Sequence, residues 1–186
     1  MPSCTKPLSY CWLLGLMLWL ATAEAEDHGA VVRRAEIVKS TSDWYVDAYI
    51  DYRLSSTAKE ALHKGIPLTW KVYIEIRRPG VLWDQKLYRQ KIRYTLQYHA
   101  LLNQYAVQME GLQTEMFLSL HAALNDMATL HRALVKPAGL ADTDKEYSLA
   151  VKTQFHRESL PVPLRPFTYL DRDWSLSSDW LICPIP

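Results

Sequence analysis

Cysteine is scarce: the chain carries Cys4, Cys11 and Cys183. The first two sit in an N-terminal stretch that reads as a leader, so no intrachain disulfide remains and the domain must rest on its hydrophobic core. Metal and nucleophile signatures are missing as well. The six histidines, His28, His63, His99, His121, His131 and His156, show no H-x-x-x-H or H-E-x-x-H spacing, which excludes the usual clustered zinc ligands. No G-x-S-x-G, P-loop or G-x-G-x-x-G occurs. Cys183, between Ile182 and Pro184, lacks the electropositive niche that a catalytic thiol needs. Asp47 and Asp51 are too far apart on one strand for a tight carboxylate dyad, and solvated strand charges explain them. No catalytic residue, metal ligand or cofactor is assigned, and the protein is expected not to be an enzyme. The net charge of +1 gives no global field to recruit nucleic acid. There is no internal repeat and no low-complexity segment.

The N-terminus has the three parts of a secretory signal peptide. Lys6 is the positive region, Leu8–Leu20 is the apolar run, and Ala21-Thr22-Ala23 is an A-x-A cleavage site, with Ala23-Glu24-Ala25 as second choice. The alternative is an uncleaved anchor, but the run is short against the about 20 apolar residues a bilayer span needs. Loss of residues 1–23 removes Lys6 and no acid, so the formal charge falls from +1 to zero. Residues 24–30 are then a flexible lead-in, and 31–186 form a single β-rich domain that includes a Pro-rich, Trp-containing tail over 159–186.

The rest of the chain is dominated by alternation. Trp44, Val46, Ala48, Ile50, Tyr52 and Leu54 take one face of a strand, against Tyr45, Asp47, Tyr49, Asp51 and Arg53 on the other. Leu68, Trp70, Val72, Ile74 and Ile76 alternate with polar residues up to Arg78-Pro79-Gly80, and Ile92, Tyr94, Leu96 and Tyr98 resume the pattern. Period two over this length means strands with one buried face. Further strands are predicted at Val31–Lys39, Tyr105–Met109, Glu115–Leu118 and Tyr147–Phe155, with a turn at Ser40–Asp43. A short helix over Thr57–Lys64, capped by Ser56 or Thr57 and ended by Gly65, serves as a crossover. Ser119 caps a second helix running to about His131, and Leu134–Asp144 reads as loop. The three prolines of Leu160–Pro166 forbid a central strand there, so this apolar tail should press on the body as extended chain.

The expected fold is mainly β: a β-sandwich, immunoglobulin-like or similar, of about seven strands with two or three short helices. The alternative is α+β, an open antiparallel sheet with one helix packed on it.

Two features stand above background. Basic residues gather around the long hairpin: Lys64, Lys71, Arg77, Arg78, Lys86, Arg89, Lys91 and Arg93, against Glu75 and Asp84. The bland reading is a solvated face that blocks edge aggregation. The loop Arg78–Gln85 carries Val81, Leu82 and Trp83, and aromatic residues rimmed by cations suit a protein partner or a membrane surface. The candidate interaction residues are therefore Arg77, Arg78, Val81, Leu82, Trp83, Lys86 and Arg89.

Some stretches resemble a known family. They are Asp47–Ser55, Gly65-Ile66-Pro67-Leu68, Ile74–Pro79 with a tryptophan soon after, and Arg93-Tyr94 with Leu96–Leu101. The most specific are Ser159–Pro166 and Asp173-Trp174-Ser175-Leu176-Ser177-Ser178-Asp179-Trp180. From about Val31 to Trp180 the chain resembles a proteobacterial family of exported proteins described as a domain of unknown function, number four-three-nine-zero. The resemblance implies export and one domain, and supplies no catalytic residues. Members' genes tend to sit beside a membrane histidine kinase and its response regulator. The expected function is a periplasmic, non-enzymatic interaction module of the cell envelope. Its expected partner is an envelope protein such as that kinase, with no nucleic acid and with membrane contact through the 78–85 loop. The alternative is a lipid or small-ligand carrier with a pocket between the sheets.

Overall fold

Period-two alternation resolves into nine strands among the described residues, all paired antiparallel. The structure is a computed structural model and describes residues 28–39, 44–80, 83–135 and 146–185. The predicted signal segment 1–23, most of the lead-in, the turn at Ser40–Asp43, the loop residues Val81 and Leu82, and the 136–145 connection lie outside the described residues.

The strands are β1 (Gly29–Lys39), β2 (Trp44–Arg53), β3 (Leu68–Arg78), β4 (Gln85–His99), β5 (Gln104–Met109), β6 (Glu115–Phe117), β7 (Thr129–Val135), β8 (Tyr147–Phe155) and β9 (Leu181–Ile185). They form a sheet of three, β1-β2-β7, and a sheet of six, β6-β5-β4-β3-β8-β9. The inward residues of both sheets merge into one core. Val46, Ile50 and Leu130 come from the small sheet, and Trp70, Val72, Ile74, Leu96, Leu149 and Val151 from the large one. The fold is thus mainly β and sandwich-like, as the alternation predicts, rather than one open sheet. Each fully buried aliphatic side chain contributes about 1.5–3 kcal/mol, which is how an 11-residue strand such as β3 stabilises a fold with no disulfide among the described residues.

Helix α1 (Ser56–His63) closes one end and buries Ala58, Ala61 and Leu62. Its cap is Ser55, one residue earlier than expected, with the hydroxyl accepting from Ala58 N–H at 3.1 Å. Ser55 is also fixed from outside, donating to the Asp173 carbonyl at 2.7 Å. Helix α2 (Leu120–Ala128) is capped by Ser119 as predicted. It stops three residues before His131, because Thr129 takes β conformation and starts β7. The spacing to Leu130 fits a helix and a strand equally. The free edge of β2 decides, pairing Ala48 with Leu130 and Val46 with Ala133 across a bulge.

The tail is more structured than its prolines suggest. A short helix α3 (Arg165–Leu170) stands between single 3-10 turns at Arg157–Ser159, Val162–Leu164 and Arg172–Trp174. Leu160, Trp174 and Leu176 are buried in the core. Trp174 stacks on Phe155 at 5.9 Å, and Phe155 in turn meets Trp70 at 5.2 Å. Ser177 and Ser178 then run along β8: their hydroxyls accept the N–H groups of Phe155 and Thr153, and Ser178 N–H donates to the Thr153 carbonyl. From there the chain enters β9, a strand the sequence pattern did not reveal.

Candidate interaction surface

The outward residues of β3, β4 and β8 make one continuous face on the far side of the large sheet from the core. Register sets its rows. Lys71 lies opposite Arg93 and Gln154, Tyr73 opposite Lys91 and Lys152, and Glu75 opposite Arg89 and Ala150. Like charges directly opposite each other destabilise a sheet, and Lys71–Arg93 is such a pair. The surroundings register the strain: burial, then Lys91 and Arg93, hold the Lys71 ammonium below its ordinary value.

Glu75 anchors the face. It has no exposed surface, although it points away from the core. Arg77 closes on it, with Nε donating to Oε2 at 2.9 Å and Nη2 at 2.7 Å. Lys86 Nζ and Arg89 Nε approach Oε1 at 3.3 and 3.4 Å, without completing a hydrogen bond to it. Trp180 from the tail lies over the Arg77 guanidinium at 4.4 Å and near Lys152 at 5.9 Å. Arg89 in turn sits over Tyr73 at 5.2 Å. A row of cations is thus stapled to the sheet by one carboxylate and two aromatic rings.

The sequence-derived candidates divide between two roles. Arg77 is 13% exposed and serves the Glu75 pair. Lys86 and Arg89 touch Glu75 but remain more than half exposed, at 52% and 58%. Arg78 donates to Gln85 at the root of the loop. Trp83 is 77% exposed at the loop tip, while Val81 and Leu82 lie outside the described residues. Gly80 shapes this turn, since a Cβ there would come within 2.2 Å of the Trp83 carbonyl oxygen. Lys152 and Trp180 belong to the same face and were not anticipated. They reach it through β8 and the tail, which are far from the hairpin in sequence.

A second concavity lies between the sheets, beside β7. This groove of about 510 Å³ is lined by Ile92, Tyr94, Val107, Met109, Leu130 and Leu134, with Glu110, Glu115 and Asp126. Burial, then Glu115, raises the Asp126 carboxyl above its ordinary value. Burial, then Asp126, pushes the Tyr94 hydroxyl up to about 12. Among the described residues there is no group of three or more His, Cys, Asp or Glu side chains able to hold a metal ion, and no helix long and apolar enough to cross a membrane.

No curated protein and no solved structure matches the chain. A family match spans residues 27–183, nearly the whole region read as the folded domain, and by it the chain belongs to the family described as Domain of unknown function (DUF4390).

Proposed function

We propose that this protein is a non-enzymatic interaction module of the cell envelope. It engages an acidic protein partner through the cationic face of the large sheet, with Trp83 as the anchor at one end. The observation that carries this reading is Lys71 directly across from Arg93, with Lys91 alongside. A sheet gains nothing for its own stability from such a pair, and an acidic surface would neutralise it. Tryptophan and arginine are also the usual centres of binding energy in protein interfaces. Envelope location rests on the N-terminal run ending at Ala21-Thr22-Ala23, and the gene neighbourhood of the resembling family suggests a membrane histidine kinase as partner. In-cell crosslinking from a photoreactive residue at position 84, with identification of the product, tests the reading. An acidic envelope protein captured by the wild type and lost with Arg78→Glu supports it. A product unaffected by that change removes the face from consideration. N-terminal sequencing should find the mature chain starting at Glu24 or Glu26.

The carrier reading draws on the inter-sheet groove. Its apolar walls suit a hydrocarbon chain, and organic extraction of the purified protein followed by mass spectrometry would find a bound lipid if it holds.

A further inference from the structure

The other end of the cationic face opens into a cleft of about 380 Å³ between β3, β8 and the tail. Lys71, Gln154, His156, Arg157, Tyr169 and Ser177 contribute to its walls, with Glu158 as the one carboxylate among them, exposed and 3.6 Å from His156 Nδ1. Its polar groups are mostly donors. Lys71 has no carboxylate within ion-pair distance among the described residues; Glu158 and Glu110 act on it only from further away. Arg157 is held in place, with one Nη2 hydrogen bond to the Trp174 carbonyl at 3.2 Å and its guanidinium 5.3 Å from the Tyr169 ring. Its remaining N–H groups make no hydrogen bond among the described residues, and it lines the cleft together with Lys71. Ser177 Oγ already accepts from Phe155 N–H, so its own proton is left to donate. An ammonium, a fixed guanidinium and a hydroxyl converging on one small cleft form a receptor for an oxyanion, and a tetrahedral phosphate suits it.

Helix α3 forms one wall, and it is unusually bare. Thr168 is its buried residue. Steps of about 100° per residue place Phe167 and Tyr169 on either side of Thr168 and Leu170 opposite it. Tyr169 turns to the cleft, while Phe167 is 65% and Leu170 86% exposed, and nearby Val162 is 68% exposed. A soluble phosphate ester gives no reason for such apolar side chains beside its site. A bilayer does. Apolar side chains enter the interfacial layer and nearby cations meet the lipid phosphates.

We propose that this end of the large sheet docks on a membrane, the cleft taking the phosphate of an anionic phospholipid headgroup and α3 setting Phe167 and Leu170 into the interfacial layer. The inference shares Lys71 with the acidic-partner reading above, and it is separable from that reading through α3 and Arg157, which the acidic-partner reading does not use.

The test is sedimentation with vesicles of phosphatidylglycerol and of phosphatidylcholine, at low and at physiological salt. Wild type should bind the anionic vesicles preferentially. Phe167→Ser with Leu170→Ser should weaken binding more than about tenfold, as loss of the inserted area requires, with unchanged circular dichroism because both side chains are exposed. Lys71→Gln should weaken it about fivefold, the contribution of one cation near the surface. This variant also relieves the repulsion with Arg93, so it should fold at least as well as wild type. Several results would overturn the proposal: no preference for anionic vesicles, binding unaffected by both changes, or binding abolished by Trp83→Ala and untouched by the α3 variant. Retention of full vesicle binding by the α3 variant, with a Lys71-dependent affinity for soluble glycerol 3-phosphate, would also overturn it, since the cleft would then serve a free phosphate ester.

Discussion

Trp70, in the third strand, donates its indole N–H to the carbonyl of Leu176 at 3.0 Å, joining residues 106 positions apart at the centre of the molecule. Both residues are buried, at 0% and 1% exposure. The tail is therefore part of the core, and Trp70→Phe removes that bond together with part of a fully buried ring. The smaller ring leaves a cavity, and the Leu176 carbonyl loses its donor where water cannot replace it. The unpaired carbonyl alone costs about 1–3 kcal/mol and the cavity adds to it, read as a lower urea midpoint with unchanged slope. Truncation after Ser159 removes Trp174, Leu176 and β9 together and should prevent stable folding.

Glu75 offers a second test. Removing one member of a buried ion pair strands the other, at about 3–5 kcal/mol. Arg77, 13% exposed, is the group left behind, while Lys86 and Arg89 reach water. Glu75→Gln should therefore cost towards the low end of that range, and Glu75→Leu more. Part of the deficit is repulsion among the surviving cations, so 1 M salt, with a screening length of about 3 Å, should shrink it. A deficit insensitive to salt would mean that packing of the side chain, and not its charge, carries the effect.

Much of this architecture is legible in the residues. Alternation over Trp44–Leu54 and Leu68–Ile76 predicts the strands and their buried faces, and Ser119 marks the start of α2. The misses have specific causes. Leu130 satisfies both periods, so only pairing with Ala48 shows that the helix has ended. β9 contains Pro184, which reads as a strand breaker, yet it is an edge strand whose ladder tolerates a missing donor. In the candidate surface, the basic residues of the hairpin are visible as a cluster. That Glu75 lies buried beneath them, and that Trp180 covers Arg77, are consequences of tertiary structure alone.

Acid should destabilise the fold through His156. Burial, then Lys71, holds its imidazole below the ordinary value. A histidine whose folded pKa lies below its unfolded one binds fewer protons when folded, so stability falls as pH drops below about 6.5 and the unfolded chain takes up the proton. Glu158 at 3.6 Å opposes this only in part. His156→Gln should flatten the melting temperature between pH 7 and 5 relative to wild type. Asp126, exposed but partly desolvated beside Glu115, acts in the other direction and in a lower window: its raised carboxyl costs stability when ionised and returns it as pH falls through that raised value.

The loop tip carries the last prediction. Trp83 is 77% exposed, so Trp83→Ala removes little native contact and should change stability by no more than about 0.5 kcal/mol. If the tip anchors a partner, the same change should weaken association by more than about 1 kcal/mol, and adding Leu82→Ser should deepen the loss. Charge reversal must be placed with care. Arg77→Glu would set a second carboxylate against buried Glu75, so any loss of binding there would report unfolding. Arg78 bonds only Gln85 at the loop root among the described residues, so Arg78→Glu changes the rim without disturbing the Glu75 cluster. It should slow association and flatten its salt dependence while dissociation stays near the wild-type rate, as rim charges do. Surface-plasmon kinetics at several salt concentrations, beside a urea melt of each variant, separate these effects. Unfolding by the Trp83→Ala and Leu82→Ser pair would make the tip part of the core and move the interaction site elsewhere on the sheet.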